Sequence, residues 1–288
     1  MAAISWKAAP IKVGVIGLGR MGIGAARRLS EVGHDVQGCD VSAEARKNAS
    51  TFCSSVTEDP AGVAACDMIF LCVHTEGTYP ILEKVGSLEG RIIVDLGTST
   101  PALSRGLEQL VESRGGRFIE APMSGGPVAA GTGNLVLFVG GKKQVVESGL
   151  PVIQKLGKTA YLGPTGNGQI AKLINNQLVG IHFAAAAEGF AMAEAAGLPT
   201  ELLGPLFVSG AANSWVVQNF WDKMVSGDFE PRGTVSIHAR DLKLALAEAG
   251  AINARAPLTE ASSRLFDQAE QNGLGDLAQH AVVKLWDR

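Results

Sequence analysis

Gly17-Leu18-Gly19-Arg20-Met21-Gly22 decides how the rest of the chain is read. The run Ile11–Ile16 before it is short, apolar and β-branched, and a helical pattern follows from Met21 to Val32. Between a strand and a helix, G-x-G-x-x-G is a nucleotide turn. Gly17 allows the tight bend, Gly19 lets a pyrophosphate approach the backbone, and Gly22 lets helix and strand pack closely. The helix N-terminus presents free N–H groups and the positive end of its dipole to phosphates. Leu18, Arg20 and Met21 complete the turn, so all six residues are candidate cofactor contacts. An acid, Asp40, closes the next apolar run, Asp35–Cys39, 18 residues after Gly22. There it can accept hydrogen bonds from the adenosine ribose hydroxyls and repel a 2′-phosphate, which favours NAD over NADP. Arg46 keeps NADP open, and a plain helix-capping role for Asp40 is the simpler alternative.

Working outward, further strand patterns fall at Met68–Val73, Arg91–Leu96, Arg117–Glu120, Leu135–Val139 and Thr159–Leu162. Helical patterns alternate with them near Ala43–Ser50, Tyr79–Val85, Ala102–Ser113 and Lys142–Leu156. Strand alternating with helix predicts an α/β domain with a doubly wound, mostly parallel sheet. The texture changes near Gly163-Pro164. One Ala-rich pattern runs from Gly168 to Gly197, a helix of about 30 residues and roughly 45 Å at 1.5 Å per residue. Helical patterns continue near Glu201–Val208, Ser214–Met224, Val235–Ala251, Thr259–Gln271 and Leu277–Trp286, with no strand-like run. The expected division is a dinucleotide-binding domain over 1–163 and an all-helical domain over 164–288, entered through the long helix.

Composition removes several classes. The 288 residues carry a net charge of −3, with four Trp, two Tyr and ten Phe, so neither a basic footprint nor an aromatic platform for nucleic acid is expected. The four cysteines, Cys39, Cys53, Cys66 and Cys72, form no C-x-x-C or Cys/His ligand set; no metal site is expected, and reduced thiols fit a cytoplasmic protein. Met1–Pro10 reads as neither a secretory nor a transit signal. Leu173–Ala187 is interrupted by Asn175, Asn176, Gln177 and His182, and at 15 residues it reads as too short and polar for a membrane span. Glycine is in excess, 36 of 288 residues, against roughly 7% on average. Thirteen of them lie within residues 115–168, so much of the excess is local and calls for a local cause.

Two segments there carry the chemistry. In Ala121-Pro122-Met123-Ser124-Gly125-Gly126-Pro127, a strand runs into a turn whose bare glycines let backbone N–H groups approach an anion beside the Ser124 hydroxyl. A purely structural turn is the alternative. In Gly166-Asn167-Gly168-Gln169-Ile170-Ala171-Lys172-Leu173-Ile174-Asn175-Asn176, Lys172 and Asn176 are i and i+4 and share one helix face. A lone helical lysine is most often solvated. This one sits among Ile170, Ala171, Leu173 and Ile174 at the expected domain junction, and partial burial favours the neutral amine a general base requires.

The chain resembles the β-hydroxyacid dehydrogenases, the family of 3-hydroxyisobutyrate dehydrogenase and tartronate semialdehyde reductase. Four blocks match in order: 17–22, Asp95 through Thr98, Ala-Pro-x-Ser-Gly-Gly at 121–126, and Gly-x-Gly-x-x-x-Lys-x-x-Asn-Asn at 166–176. Arg240-Asp241-Leu242 resembles a fifth, Lys-Asp-Leu. The resemblance implies an N-terminal Rossmann domain, a long helix and an all-helical domain through which dimers or tetramers form. It implies reversible hydride transfer between nicotinamide and a small hydroxyacid or semialdehyde, with Lys172 as acid/base and Asn176 as its substrate-facing partner. Ser124, Gly125 and Gly126 would hold the substrate anion. Val73, Thr98 and Arg240 would lie along the cofactor.

Departures from the family pattern are Glu120 for Asp, Met123 for Val, Val73-His74 for Leu-Pro, Arg240 for Lys, and Gly233 for an aromatic residue. Arg240 keeps the charge with different donor geometry. Gly233 leads us to expect a more open nicotinamide end. His74 is a possible cofactor contact, and His34, His182, His238 and His280 are assigned no chemistry. Trp215 reads as core or interface, with lining of the substrate pocket by its segment as the alternative, and the Ala184–Ala187 run, with Gly180 and Gly189, as close helix packing. Two other readings stay open: an imine reductase, which resembles this architecture but usually lacks the lysine, and a non-catalytic dinucleotide sensor, which needs only the first glycine block.

Overall fold

The computed structural model describes residues 10–73, 77–231 and 233–286. His74 and nearly all of the Met1–Pro10 leader lie outside them. Two compact units result, Met1–Lys172 and Leu173–Arg288. The first therefore takes in the opening turn of the long helix, beyond the expected boundary at 163, because the side chains of Glu120 and Gln169 tie that turn to it.

The first unit is built on a nine-stranded sheet. Its strands are β1 Lys12–Ile16, β2 Asp35–Cys39, β3 Ser55–Thr57, β4 Met68–Leu71, β5 Ile92–Asp95, β6 Arg117–Glu120, β7 Met123–Ser124, β8 Leu135–Gly141 and β9 Gly157–Tyr161. The order is β3-β2-β1-β4-β5-β6-β8-β7, with β9 beside β8. Strands β1 to β6 are parallel, and β8 runs antiparallel to β6 and β7. The order 3-2-1-4-5-6 is that of the dinucleotide fold, whose ligands lie at the carboxyl ends of the strands where the order reverses, here at β1.

Successive strand residues point to opposite faces, and both faces are buried. Val13, Val15, Met68, Phe70, Ile92 and Val94 pack on one side with Ala25, Ala26 and Leu29 of α1 (Gly22–Glu31). Ile16, Ile69, Leu71 and Ile93 pack on the other with residues of α3 (Thr78–Val85) and α4 (Pro101–Ser113). The remaining helices of this unit are α2 (Ala43–Ala49), α5 (Gly126–Thr132) and α6 (Lys143–Ile153). Strands β3 and β7 and helix α5 escape a sequence reading, the strands because they are three and two residues long. Helix α5, Gly-Pro-Val-Ala-Ala-Gly-Thr, has the composition of a turn. Its place is set by packing, for a Cβ on Gly24 of α1 would stand 2.9 Å from the Ala130 Cβ. All four cysteines are free thiols, and burial pushes those of Cys39, Cys53 and Cys66 up to about 11, which suits a packing role.

Helix α7, Asn167–Ala195, spans 29 residues, about 44 Å at 1.5 Å per residue. By length and composition it could cross a bilayer, unlike the shorter stretch read from sequence. Its Phe183, Ala186, Ala187 and Phe190 form part of the second unit's core instead, with α9 (Trp215–Ser226), α10 (Val235–Ala251) and α11 (Pro257–Ala269). Helix α8 spans Thr200–Ser209. Ser214 and Thr234 cap α9 and α10 by accepting from Val217 and Ile237 N–H. The last helical pattern is a 3-10 segment, Gln279–Trp286, reached through a left-handed Gly273.

Two expectations change here. Trp215 is 57% exposed, so it is not core. Gly180 does serve close packing, since a Cβ would meet Leu242, but Gly189 faces open space. The room beside Gly233 is filled by the Gln279 carboxamide, 2.5 Å from where a Cβ would stand. His238 and His280 are buried against Phe183, Phe266, Phe220 and Phe229.

The glycine turn gives a direct stability test. A Cβ on Gly22 would overlap the Gly17 carbonyl oxygen, whereas one on Gly19 meets nothing within 4 Å among the described residues. Gly22→Ala is expected to lose at least ~1–3 kcal/mol in urea unfolding, as overpacking does. Gly19→Ala is expected to stay within ~0.5 kcal/mol of wild type. Equal losses would contradict the packing described.

Candidate active site

At the nucleotide end, Gly17 has φ +90°, and a Cβ there would lie 2.6 Å from the Cys72 carbonyl oxygen and 2.8 Å from Val73 Cγ1. The ends of β1 and β4 thus meet, with partly buried Val73 between them and Gly19 and Arg20 on the exposed rim. Met21 supplies no side-chain cap to α1, and the first turn holds no acid, so this N-terminus suits an anion. Asp40 braces the turn as well as flanking it. Its Oδ2 accepts from Leu18 N–H at 2.6 Å and its Oδ1 from Ser42 N–H at 2.8 Å. Arg46 donates to the carbonyls of Asp40 and Val41 at 2.8 and 3.0 Å and pairs with Glu58 at 3.2 Å. Bare backbone, a helix start without an acid and a carboxylate at the end of β2 fit a dinucleotide.

Further along the sheet, Asp95 and Glu120 end β5 and β6 in register, and both are fully buried. Asp95 Oδ1 accepts from Gly97 N–H at 2.9 Å, and its Oδ2 finds no partner among the described residues. Burial pushes its carboxyl up to about 7; the Gly97 N–H opposes the rise and the charge of Glu120 adds to it. Glu120 is better supplied. Its Oε1 accepts from Gly166 and Gly168 N–H at 2.8 and 2.7 Å, and its Oε2 from the Ser104 hydroxyl. Burial still raises its pKa, against those donors.

Thr98 is half-buried in the loop after β5, between Gly97 and Ser99, both of which bond the side chain of Gln169. Ser124 ends β7 and is half-buried, while Gly125 and Gly126, at φ +133° and +78°, turn the chain into α5. Lys172 and Asn176 are each 7% exposed, one turn apart on α7, so neither is a solvated surface residue. Within the second unit, Asn176 Nδ2 donates to Asp241 Oδ2 at 2.6 Å. Arg240 donates to Asp241 Oδ1 through Nε and a terminal nitrogen at 3.0 and 2.7 Å. One buried carboxylate therefore orients both residues. Among the described residues, no group of three His, Cys, Asp or Glu side chains could hold a metal ion.

Sequence reading did not single out Gln169, Asp241, or Asp95 and Glu120 as a buried pair. The available signal was the single acid that closes each of the runs Ile92–Asp95 and Arg117–Glu120.

Residues 12–164 match the family model for the NAD binding domain of 6-phosphogluconate dehydrogenase. Residues 166–286 match that for the NAD-binding of NADP-dependent 3-hydroxyisobutyrate dehydrogenase. The chain is 31% identical over 284 residues to 2-hydroxy-3-oxopropionate reductase of Escherichia coli K12, covering 95% of this chain and 96% of that one. The chain belongs to the β-hydroxyacid dehydrogenase family. L-threonate dehydrogenase of Cupriavidus necator is 29% identical, over 95% of each chain. Among solved structures, 3-hydroxyisobutyrate dehydrogenase from Salmonella typhimurium superposes with a TM-score of 0.89 at 28% identity, over 96% of this chain and 99% of that one. As a member of this family the protein is an NAD(P)-dependent oxidoreductase acting on a CH–OH group.

Asp95 yields a pH prediction. In the unfolded chain its carboxyl titrates at its ordinary value of about 3.9. Folded, it keeps its proton to about 7. Its contribution to stability is therefore complete at low pH and lost as pH rises toward 7. Asp95→Asn lacks this loss, so urea unfolding should show the variant gaining on wild type between pH 5 and pH 8. A constant difference would mean Asp95 titrates normally.

Proposed function

We propose that the protein oxidises a small hydroxyacid, or reduces the matching semialdehyde, with NAD as preferred cofactor and Lys172 as general acid/base. The observation that carries this reading is the burial of Lys172 on the same helix as Asn176, which a buried carboxylate holds in place. Gly17–Gly22 would hold the pyrophosphate and Asp40 the adenosine ribose. Val73, Thr98 and Arg240 would flank the nicotinamide half. Arg46 is directed at its own backbone and at Glu58, which supports NAD over a cofactor with a 2′-phosphate.

The nicotinamide, when bound, supplies the acceptor or donor of the reducing equivalent. The protein's residues supply position and protons. The Ser124 hydroxyl and the N–H groups of Gly125 and Gly126 hold the substrate anion, and Asn176 orients the reacting oxygen. Lys172 Nζ, as the amine, takes the hydroxyl proton in oxidation; as the ammonium, it returns that proton in reduction. Both relatives' names denote hydroxylated carboxylates, which supports a small anionic substrate. Exposed Ile174, Leu178, Met192, Leu202 and Leu206 on α7 and α8 support a homodimer or homotetramer, and the free thiols a cytoplasmic setting.

The test is a panel of small 2- and 3-hydroxyacids assayed with NAD and NADP separately. Turnover is expected with NAD. Lys172→Ala is expected to lose about 10²-fold or more in kcat with NAD affinity unchanged. Retention of more than about a tenth of wild-type kcat, well short of that loss, would remove Lys172 from the role. Reduction of cyclic imines without hydroxyacid turnover would favour an imine reductase, and tight NAD binding without turnover a sensor.

A further inference from the structure

Gln169 is fully buried, belongs to the first unit, and has no part in the chemistry proposed above. Its Oε1 accepts from Ser99 N–H at 2.9 Å and its Nε2 donates to the Gly97 carbonyl at 3.0 Å. These two bonds fall on the residues flanking Thr98. The backbone of the same turn is held independently, by the Glu120 carboxylate on Gly166 and Gly168 N–H. The loop's own strand holds it from behind, through Asp95 on Gly97 N–H.

We propose that Gln169 is a positioning residue that fastens the Gly97–Ser99 loop, and with it Thr98, to the helical turn carrying Lys172. This rests on the hydroxyacid dehydrogenase reading above. Thr98 lies on the cofactor side of that reading and Lys172 on the substrate side, so the two reacting partners are brought into register through one side chain. A carboxamide supplies a donor and an acceptor together from this position at every pH, whereas a carboxyl does so only when protonated. A carboxylate keeps the acceptor but turns a second oxygen toward the Gly97 carbonyl; an apolar isostere offers neither.

Gln169→Glu and Gln169→Met provide the test, each compared with wild type at a temperature where circular dichroism shows all three folded. Misplacement of the loop is expected to lower kcat by about 10- to 100-fold. NAD affinity, measured by fluorescence titration, should change little because the adenosine half is untouched. The carboxyl introduced by Gln169→Glu would be buried, with Asp95 and Glu120 as neighbouring acids. The cations of the same region are Arg105, beside Gly166, and Lys172 one turn on. Burial and the two acids favour its protonated form, which restores the donor to Gly97. The ratio of Gln169→Glu kcat to wild-type kcat should therefore rise as pH falls, while the Gln169→Met ratio stays low and flat. Folded variants with kcat near wild type, or a Gln169→Glu ratio independent of pH, would overturn the proposal. A wild-type protein without turnover would remove the dehydrogenase reading and this inference together. An active wild type with unaffected variants would remove only this inference.

Discussion

A buried carboxylate must find donors or give up its charge, and Glu120 finds them in the Gly166 and Gly168 N–H groups and the Ser104 hydroxyl. Glu120 ends β6, and those N–H groups open α7, so satisfying this one side chain fixes where the long helix begins. The fit leaves little slack. A Cβ on Gly168 would run into the Phe138 carbonyl, the Glu120 carboxylate and the Gly140 N–H. The glycine spacing at 166 and 168 is therefore a packing requirement, and Lys172 inherits its position from it, one turn further along the same helix. The local glycine excess over residues 115–168 has its physical cause in such approaches as much as in any ligand.

The same economy recurs at the other carboxylates. Asp40 braces the glycine turn through Leu18 N–H, and Asp241 orients Asn176 and Arg240 together. In each case a short acid at the end of a strand, or buried on a helix, fixes backbone or side chains that a ligand would then meet already arranged. Such preorganisation lowers the cost of orienting substrate and cofactor. Asp95 is the exception. Buried, with one oxygen unpartnered among the described residues and a neighbouring acid in register, it holds its proton near neutral pH.

Much of this was legible in the sequence because it rests on local rules. The glycine turn needs its strand and helix adjacent in the chain, and i to i+4 spacing places Lys172 and Asn176 on one face. What escaped reading depends on partners distant along the chain. Helix α5 exists because Gly24 lets Ala130 approach, and nothing in Gly126–Thr132 alone announces a helix. Gln169 looks like any helical glutamine until the loop some 70 residues earlier folds onto it. Of the core and interface places that the apolar bulk of Trp215 suggests, only core is excluded, because it opens a helix and leaves more than half its surface exposed. The room at Gly233 could not be judged without knowing that Gln279 returns to fill it.

The family places the chemistry at a CH–OH group, and the proposed function gives Lys172 and Asn176 the proton transfer there. The most direct measurement follows the reducing equivalent itself. A hydroxyacid carrying deuterium at its carbinol carbon is incubated with the protein and NAD, and the reduced cofactor is examined by mass spectrometry. The expected result is reduced nicotinamide bearing one deuterium from the substrate. Reduced cofactor without that deuterium, or no reduction across the hydroxyacids tested while NAD is bound, would contradict it.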